Sequence, residues 1–251
     1  MKILIVIPAR FKSSRLPGKP LKKIYGKELI IRVLEACKPL INKNIKMVVA
    51  TDNKKIFDLV NYFKFQALMT SKGCLTGTDR VAEVSKKIKA DIYINVQGDE
   101  PLIYFDDIKK VIEAKKKFPK HISCGYCNLK NDESVDNKNI PKIVINKKSE
   151  LLYISRSAIP SSKEKKDKKL KFLKQVCIYG FNRNDLNLFS SFKKKTFLEK
   201  YEDIEILRFL ENGKKIKMVK LSSSSYAVDT FDDIKKVEKI FEKFNKWWKI
   251  F

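Results

Sequence analysis

The sequence predicts an α/β fold with a mainly parallel central sheet, helices on both faces and a small antiparallel extension. Two features of the 251-residue chain support this prediction. Up to residue 118, apolar runs of strand length alternate with longer amphipathic stretches, a pattern typical of a parallel sheet covered by helices. After Pro119 the apolar runs follow one another with short connections, which favours antiparallel pairing within about 120–180.

Each predicted element has a local signal. KILIVIPA (2–9) has the length of a buried strand, and GKELIIRVLEAC (26–37) repeats its apolar residues at helical spacing. Asp52 is predicted to cap the helix at 53–63. The other elements outside the extension are predicted as strands at 45–51, 65–70, 91–97 and 215–221 and helices at 77–88, 105–118, near 199–211 and from about 232. The whole chain is predicted to form one domain, residues 1–251, because the short strands after Pro119 suggest an antiparallel addition of about sixty residues and not a second full domain.

The charge of the chain is unusual. Its 55 basic and 29 acidic residues give a net charge of +26, which alone would suggest a nucleic-acid or anionic-membrane partner. Only 7 of the basic residues are Arg and 48 are Lys. Nucleic-acid readers depend on Arg for bidentate contacts, so a general preference for Lys explains the charge better. The Lys residues are also scattered over most of the chain, with a local run at 163–171.

Composition excludes several classes of site. Five Cys do not make a disulfide framework, and the CGYC spacing at 124–127 lies in a strand-like stretch that does not favour redox function. His121 is the only His, so His-rich metal sites are excluded. The apolar run Ile3 to Ile7 is too short for a signal peptide, and no segment reaches membrane-spanning length. A cytoplasmic protein without stable membrane association is expected.

The stretch from Ile7 to Leu21 follows the first strand and combines spaced cations with fixed turns. Arg10, Arg15 and Lys19 supply charge, and Gly18 lets the backbone approach an anion. Because ligands of α/β sheets bind at the carboxyl ends of the strands, this loop is predicted to hold phosphates. A rigid basic turn without a ligand is the alternative. Neither G-x-G-x-x-G nor the Walker-A pattern is present.

Two Asp residues follow predicted strands. Asp99 lies in NVQGDEP (95–101), where Gly98 forces a bend and Pro101 stops the strand. A carboxylate beside a phosphate loop suits Mg²⁺, which takes one or two carboxylates together with substrate phosphates. Asp229 in AVDT (227–230) could add a second carboxylate. From its local sequence alone, however, Asp229 is better explained as part of a helix N-cap.

Several longer stretches occur together in one order. They are IPARFKSSRLPGKPL, VATDN, LTGTDRVAE, INVQGDEPLI, YISRSAIP, IYGF and LEKYEDIEILR, followed by VDT. In these stretches and their spacing, the sequence resembles the CMP-Kdo synthetase family (3-deoxy-manno-octulosonate cytidylyltransferases), with CMP-sialate synthetases as more distant relatives. The resemblance covers about residues 3 to 240. It implies a nucleotidyltransferase fold like that of the A-type glycosyltransferases.

The resemblance also implies a reaction. In that family the 2-hydroxyl of a 3-deoxy-ulosonic acid, usually Kdo, attacks the α-phosphorus of CTP to give the CMP-sugar and pyrophosphate for lipopolysaccharide synthesis. The family is commonly a homodimer joined through the region that corresponds to about 120–180 here. Mg²⁺ is the implied cofactor.

Site residues follow from the matching stretches. Those implied to contact CTP are Ala9, Arg10, Arg15, Lys19, Thr78, Arg80 and Gln97. Those implied to line the sugar site are Arg156, Gln175, Tyr179 and Glu205. Arg10, Lys19, Asp99 and Asp229 are the implied catalytic residues, and the two Asp would ligate Mg²⁺. Arg156 suits a bidentate grip on the sugar carboxylate.

The sequence departs from the family pattern at three positions. Gln175 and Cys74 stand where the family usually has His, and Ile206 stands where Gln is expected. The changes at Gln175 and Ile206 fall in stretches that the resemblance assigns to the sugar pocket. The sugar is therefore predicted to be Kdo or a close variant altered away from its carboxyl end. One alternative is a cytidylyltransferase for another acidic sugar, such as 8-amino-Kdo or a nonulosonic acid. A nucleic-acid or anionic-surface binder is the alternative from another class, and its affinity would fall steeply with salt.

Overall fold

The computed structural model describes residues 1–13, 15–161, 163, 171–222 and 226–248. Most of the Lys-rich run at 163–171 therefore lies outside the described residues. In the described part of the chain, no helix is long and apolar enough to cross a membrane.

Strands and helices alternate along the first half of the chain. The strands are β1 (Ile3–Ala9), β2 (Lys23–Ile24), β3 (Lys27–Glu28), β4 (Ile45–Thr51), β5 (Ala67–Met69), β6 (Ile92–Val96), β7 (Ile122–Asn128), β8 (Lys142–Ile145), β9 (Leu151–Ser155), β10 (Leu173–Phe181) and β11 (Ile216–Lys220). The helices are α1 (Leu29–Cys37), α2 (Lys54–Tyr62), α3 (Gly77–Lys87), α4 (Phe105–Lys117), α5 (Arg183–Ser191), α6 (Phe197–Glu202), α7 (Leu207–Glu211) and α8 (Phe231–Trp248).

One mixed sheet forms the centre of the fold. Seven of its strands lie in the order β11-β7-β10-β6-β1-β4-β5. β1 pairs in parallel with β4 and β6, whereas β10 runs antiparallel to β6 and β7. β8 pairs with the start of β10 and with β9, so these two strands extend the sheet as an antiparallel hairpin. The predicted fold class is confirmed, although β7 and β10 lie inside the main sheet rather than beside it.

Side chains of β1 alternate between two apolar layers, as a buried parallel strand requires. Ile3, Ile5 and Ile7 pack in the layer with α1, α2 and α4. Leu4 and Val6 pack in the opposite layer with α3, α5 and α7. All of β1 is buried, at about 1.5–3 kcal/mol for each large aliphatic side chain. The sheet is therefore covered on both faces, as predicted.

Two local predictions were wrong. Asp52 does not cap α2, because Asn53 occupies the N-cap and its side chain accepts from the Lys55 N–H. The Asp52 carboxylate instead accepts from Arg80 and from the Phe11 N–H. The single helix predicted near 199–211 is two short helices, because Asp203 at the end of α6 has a left-handed conformation with φ of 50°.

The guanidinium of Arg208 joins α7 to α6 in the interior. Arg208 is 1% exposed, and it donates to both carboxylate oxygens of Glu199, at 2.6 and 2.7 Å. A third bond reaches Asp79 at 3.0 Å, and Glu199 is itself fully buried. Removing one member of a buried ion pair leaves an uncompensated charge, so the pair resists single substitution.

We expect Arg208→Met to lower the free energy of unfolding by about 3–5 kcal/mol, because Glu199 would remain buried without its counter-ion. Urea denaturation measures the change. The matched control is the double variant Arg208→Met/Glu199→Leu, which removes both charges and should be more stable than the single variant. A single variant within about 1 kcal/mol of wild type would contradict this account of the pair.

Candidate active site

The candidate site lies at the carboxyl edge of the sheet, where β1, β4 and β6 end. Parallel strands bring their carboxyl ends to the same edge, which is where ligands of such sheets bind. β10 runs the opposite way, so its first half reaches this edge and adds a wall. The loop after β1 that carries Arg10, Arg15 and Lys19 is called the basic loop. A cavity of about 300 Å³ lies between this loop, the turn after β6 and β10.

Two glycines let the backbone bend around this cavity. A Cβ at Gly98 would lie 2.8 Å from the carbonyl oxygen of Pro8, so only glycine fits the turn that carries Asp99. Gly18 has φ of 67°, and its N–H donates to the carbonyl of Phe11 at 3.3 Å. Because the Gly18 N–H is already bonded within the loop, it is not available to an anion. The side-chain cations of the loop are the groups that can bind one.

Asp99 and Asp229 converge on one cation. The Nζ of Lys19 lies 2.6 Å from Asp99 Oδ2 and 3.0 Å from Asp229 Oδ1. Arg15 lies 3.1 Å from the second oxygen of Asp229, and the Val228 N–H donates to the carbonyl of Asp99 at 2.8 Å. Burial lowers the pKa of the Lys19 ammonium, but the two carboxylates outweigh burial and raise that pKa above its usual value.

This arrangement tests whether the two carboxylates fit a metal ion. Oxygens from residues 130 positions apart in sequence reach the same positive charge, so the fold places them at a shared cation position. No group of three or more His, Cys, Asp or Glu suited to a metal occurs among the described residues. Two carboxylates suffice for Mg²⁺ when substrate phosphates complete its shell. The donors therefore fit Mg²⁺ bound together with a nucleotide.

The N-terminus of α3 is occupied by a carboxylate of the protein. Glu205 accepts from the Gly77 and Thr78 N–H groups at 2.9 Å each and from the Thr78 hydroxyl. Asn95 supports this hydroxyl at 3.3 Å. Burial raises the pKa of Glu205, while these hydrogen bonds oppose the rise. Glu205 lines the cavity, whereas Thr78 is 1% exposed and lies behind it.

Arg80 lines the cavity, but its guanidinium has partners in the protein. It donates to Asp52 at 2.7 Å, to Thr70 at 2.8 Å and to the carbonyl of Ser71 at 3.0 Å. Because Asp52 also accepts from the Phe11 N–H at 3.2 Å, Arg80 and Asp52 fasten the start of the basic loop to α3. The contacts of Arg80 that the structure shows are thus structural.

The opposite wall carries the residues expected at the sugar. Gln175, Cys177 and Tyr179 alternate along β10 and share the cavity face. Among the described residues, the amide of Gln175 has only weak sulfur contacts, with Cys124 Sγ at 3.7 Å and Cys177 Sγ at 3.8 Å. Burial raises the pKa of the Tyr179 hydroxyl well above its usual value, so this group is neutral. Arg156 also lines the cavity.

The structure brings the predicted residues together. All of them line the one cavity except Thr78. Further residues that the sequence did not single out also line it, among them Glu100, Asn139, Cys177, Lys195 and Asp203. Lys195, just before α6, pairs with Asp203, just after it, at 2.5 Å. Neither residue belongs to a recognisable local pattern. No local pattern could have identified them, because a tertiary contact brings them to the cavity.

One predicted position was wrong. Ile206 was assigned to a stretch that lines the sugar pocket, yet it is 1% exposed and packs in the apolar layer with Leu207 and Phe209. The first turn of α7 points it away from the cavity, so an apolar side chain is the stable choice there. Cys124 and Cys127 of the CGYC stretch are buried free thiols, and burial raises their pKa to about 12 and about 11. Buried thiols of such high pKa are unreactive.

Comparison with known proteins points to one family. A cytidylyltransferase family profile matches residues 4–216. The 3-deoxy-manno-octulosonate cytidylyltransferase of Fusobacterium nucleatum is 40% identical over 94% of this chain and 96% of its own length. The Escherichia coli enzyme of the same name is 35% identical over 95% of this chain and 96% of its own.

Solved structures agree with the sequence comparison. A CMP:2-keto-3-deoxy-manno-octonic acid synthetase complexed with CTP superposes with a TM-score of 0.88 at 35% identity, covering 97% of this chain and 99% of the other. An inositol-1-phosphate CTP transferase from T. maritima, at 15% identity over 97% of this chain and 96% of its own, shares the fold with a TM-score of 0.69. With its cavity, its basic loop and its full-length similarity, the chain belongs to the cytidylyltransferase family, among the 3-deoxy-manno-octulosonate cytidylyltransferases.

Proposed function

We propose that this chain transfers the cytidylyl group of CTP to 3-deoxy-manno-octulosonate (Kdo). The 2-hydroxyl oxygen of the sugar forms a bond to the α-phosphorus of CTP while the bond from that phosphorus to the β-phosphate oxygen breaks. CMP-Kdo and pyrophosphate leave, and the hydroxyl proton passes to solvent. Such transfers depend mainly on positioning and on neutralising phosphate charge.

One observation carries the proposal. The basic loop and the carboxylate pair Asp99–Asp229 meet in a single cavity whose other wall is the polar face of β10. This combination supplies a place for phosphates beside a place for a polyhydroxy acid. The family and its CTP-bound relative support the choice of nucleotide and sugar.

The nucleotide side has distinct parts. We assign the triphosphate to Arg10, Arg15 and Lys19, whose charges face the cavity from one loop. The cytidine is assigned to the border formed by Ala9, Gln97 and the first turn of α3, including Thr78 and Arg80. In this turn Thr78 and Arg80 act by shaping the wall, because their polar atoms bond to Glu205 and Asp52.

Asp99 and Asp229 would hold Mg²⁺ in this proposal. When bound, the ion neutralises phosphate charge and polarises the oxygens around the reacting phosphorus. The chain itself contributes the two carboxylates, held together by the bond from Val228 to Asp99, and the cations that oppose them. Lys19 and Arg15 can then turn from these carboxylates to the triphosphate.

The sugar side is assigned to Arg156, Gln175, Tyr179 and Glu205. Gln175 and Tyr179 present an amide and a neutral hydroxyl to the cavity, which suit sugar hydroxyl groups.

The homodimer through about 120–180 stays a prediction, and the exposed side chain of Leu152 on β9, 56% accessible, is compatible with it. The cytoplasmic location also stays a prediction.

A pyrophosphate-release assay tests the proposal. Purified protein is mixed with Mg²⁺, one of CTP, UTP, ATP or GTP, and one of Kdo, 8-amino-Kdo or a nonulosonic acid. We expect release only with CTP, and fastest with Kdo or its 8-amino variant. A different result would support the alternative of a nucleic-acid or anionic-surface binder. It would be an absence of pyrophosphate release, together with polyanion binding that does not need a nucleotide and weakens steeply with salt.

Gln175 should influence the choice of sugar. We expect Gln175→His to change the ratio of turnover with Kdo to turnover with 8-amino-Kdo by about fivefold to 150-fold, because an unmatched polar group costs about 1–3 kcal/mol. Steady-state kinetics with both sugars measure the ratio. Ile206→Gln is the matched control, since it buries a polar group in the core and should lower stability without changing the ratio. An unchanged ratio in Gln175→His would remove Gln175 from sugar selection.

A further inference from the structure

Lys142 at the start of β8 is a buried lysine with an unusual environment. Its residue is 0% exposed, and its Nζ donates to the carbonyl of Asn137 at 3.1 Å and to the carbonyl of Arg156. Lys115 and Lys174, the other buried lysines of the described chain, each pair with a carboxylate. Lys142 forms no ion pair within the residues that the structure describes. Burial and Arg156 lower the pKa of this ammonium, whereas Asp136 and Glu202 oppose the change without forming an ion pair with it. A buried ammonium bonded only to carbonyl groups is unfavourable, so a role other than stability is suggested.

The Asn137 carbonyl begins a segment that borders the candidate site. In this segment, residues 137–141, Asn139 and Pro141 line the cavity. The Asn139 side chain accepts from Arg15 at 2.8 Å, so the segment also touches the basic loop. Through its bond to the Asn137 carbonyl, Lys142 fixes the first residue of segment 137–141.

Arg156, whose carbonyl accepts from Lys142, forms further hydrogen bonds through its own side chain. The guanidinium of Arg156 donates to the carbonyl of Lys138 at 2.8 Å and to that of Asp203 at 2.9 Å. It also donates to the carbonyl of Glu202, whose carboxylate accepts from the Arg156 N–H at 2.8 Å. Arg156 therefore joins segment 137–141 to the turn between α6 and α7, which leads to Glu205.

We propose that Lys142 is a positioning residue for the sugar side of the site. It fixes the backbone of Arg156 and the start of segment 137–141, and through them the wall that includes Asn139, Asp203 and Glu205. Lys142 itself does not line the cavity, so it acts only through these neighbours. An ammonium suits this place because one group can donate to two carbonyls that arrive from different segments. The inference rests on the proposed function for its kinetic consequence, but not for its structural one.

Lys142→Met removes the ammonium and keeps the length of the side chain. We expect the KM for Kdo to rise about tenfold or more while the KM for CTP changes less than threefold, because Arg15 and Lys19 keep their contacts with Asp99 and Asp229 even if the bond from Arg15 to Asn139 is lost. Lys115→Met is the matched control, since Lys115 is also buried but pairs with Asp185 away from the cavity. It should lower the melting temperature and leave both KM values unchanged. Equal effects on the two substrates in Lys142→Met, or no effect on either, would overturn the proposal.

A second measurement does not depend on the sugar or on activity. The amides of Asn139, Ile140 and Arg156 are hydrogen-bonded within the wall. Hydrogen exchange at these amides should accelerate at least tenfold in Lys142→Met, and less in Lys142→Gln, whose amide can still donate. The Gln variant also serves if the Met variant does not fold. Unchanged exchange would overturn the positioning role, whereas faster exchange without any turnover of Kdo by wild type would overturn the proposed function alone.

Discussion

Replacing Asp99 by Asn should nearly abolish CMP-Kdo formation while the fold and metal-free CTP binding survive. The substitution removes the negative charge of a carboxylate that is proposed to hold Mg²⁺, with almost no change in volume. Removing one group that stabilises charge at the reacting centre costs about a hundredfold to a thousandfold in kcat, and we expect a loss of at least this size. Metal-free CTP binding should persist through Arg10, Arg15 and Lys19, which face the same cavity.

The matched control for Asp99→Asn is Asp91→Asn. Asp91 precedes β6 at the opposite edge of the sheet, where its carboxylate accepts from the Lys2 N–H at 2.6 Å, whereas Asp99 follows β6 at the site. Steady-state turnover at limiting Mg²⁺ and calorimetric titration with CTP distinguish the two variants. If Asp99→Asn kept most of its activity at limiting Mg²⁺, the assignment of Asp99 to the metal would be wrong.

The second large effect is expected at Lys19. Its ammonium lies between Asp99 and Asp229, so under the proposed metal assignment it would compete with the ion for the same oxygens. We expect Lys19→Met to bind Mn²⁺ without nucleotide more tightly than wild type, since this competition is removed. The same variant should lose about a hundredfold or more in turnover, because the triphosphate loses a cation.

Electron paramagnetic resonance of free Mn²⁺ during titration measures the first effect, and steady-state kinetics measure the second. Lys23→Met is the matched control, because Lys23 is an exposed lysine on β2 that does not line the cavity. It should match wild type in both assays. Weaker Mn²⁺ binding by Lys19→Met than by wild type would show that Lys19 supports the carboxylates rather than competing for them.

The fold could be predicted from the sequence where local patterns decide it. The alternation of apolar runs and amphipathic stretches located β1, β4 and β6 and the helices that cover them, because each element there buries a face defined by its own residues. The place of β10 between β6 and β7 could not be predicted, since strand order depends on contacts between distant parts of the chain. Asp52 illustrates the same limit. Asp and Asn are both good caps, and the distant Arg80 decided which of them caps α2.

The site divides in the same way. Asp99 was predictable because a carboxylate after a parallel strand must lie at the ligand edge of the sheet. Asp229 needed the resemblance, since its local pattern also fits a helix cap. The sugar side was least predictable, because a matching position does not show where a side chain points. Ile206 matches a sugar-pocket stretch but packs in the core. Lys195, which precedes α6, and Asp203, which follows it, line the cavity together.

The central claim is that the chain joins CMP to the sugar. Phosphorus-31 nuclear magnetic resonance of a mixture of protein, Mg²⁺, CTP and Kdo tests it most directly, with Asp99→Asn as the blank. We predict that the three CTP resonances decline together, only when Kdo is present. One phosphodiester resonance and one pyrophosphate resonance should grow, the second with twice the integral of the first, because each pyrophosphate carries two equivalent phosphorus atoms. Formation of CMP or CDP with inorganic phosphate, or an unchanged CTP spectrum with Kdo present, would contradict the account.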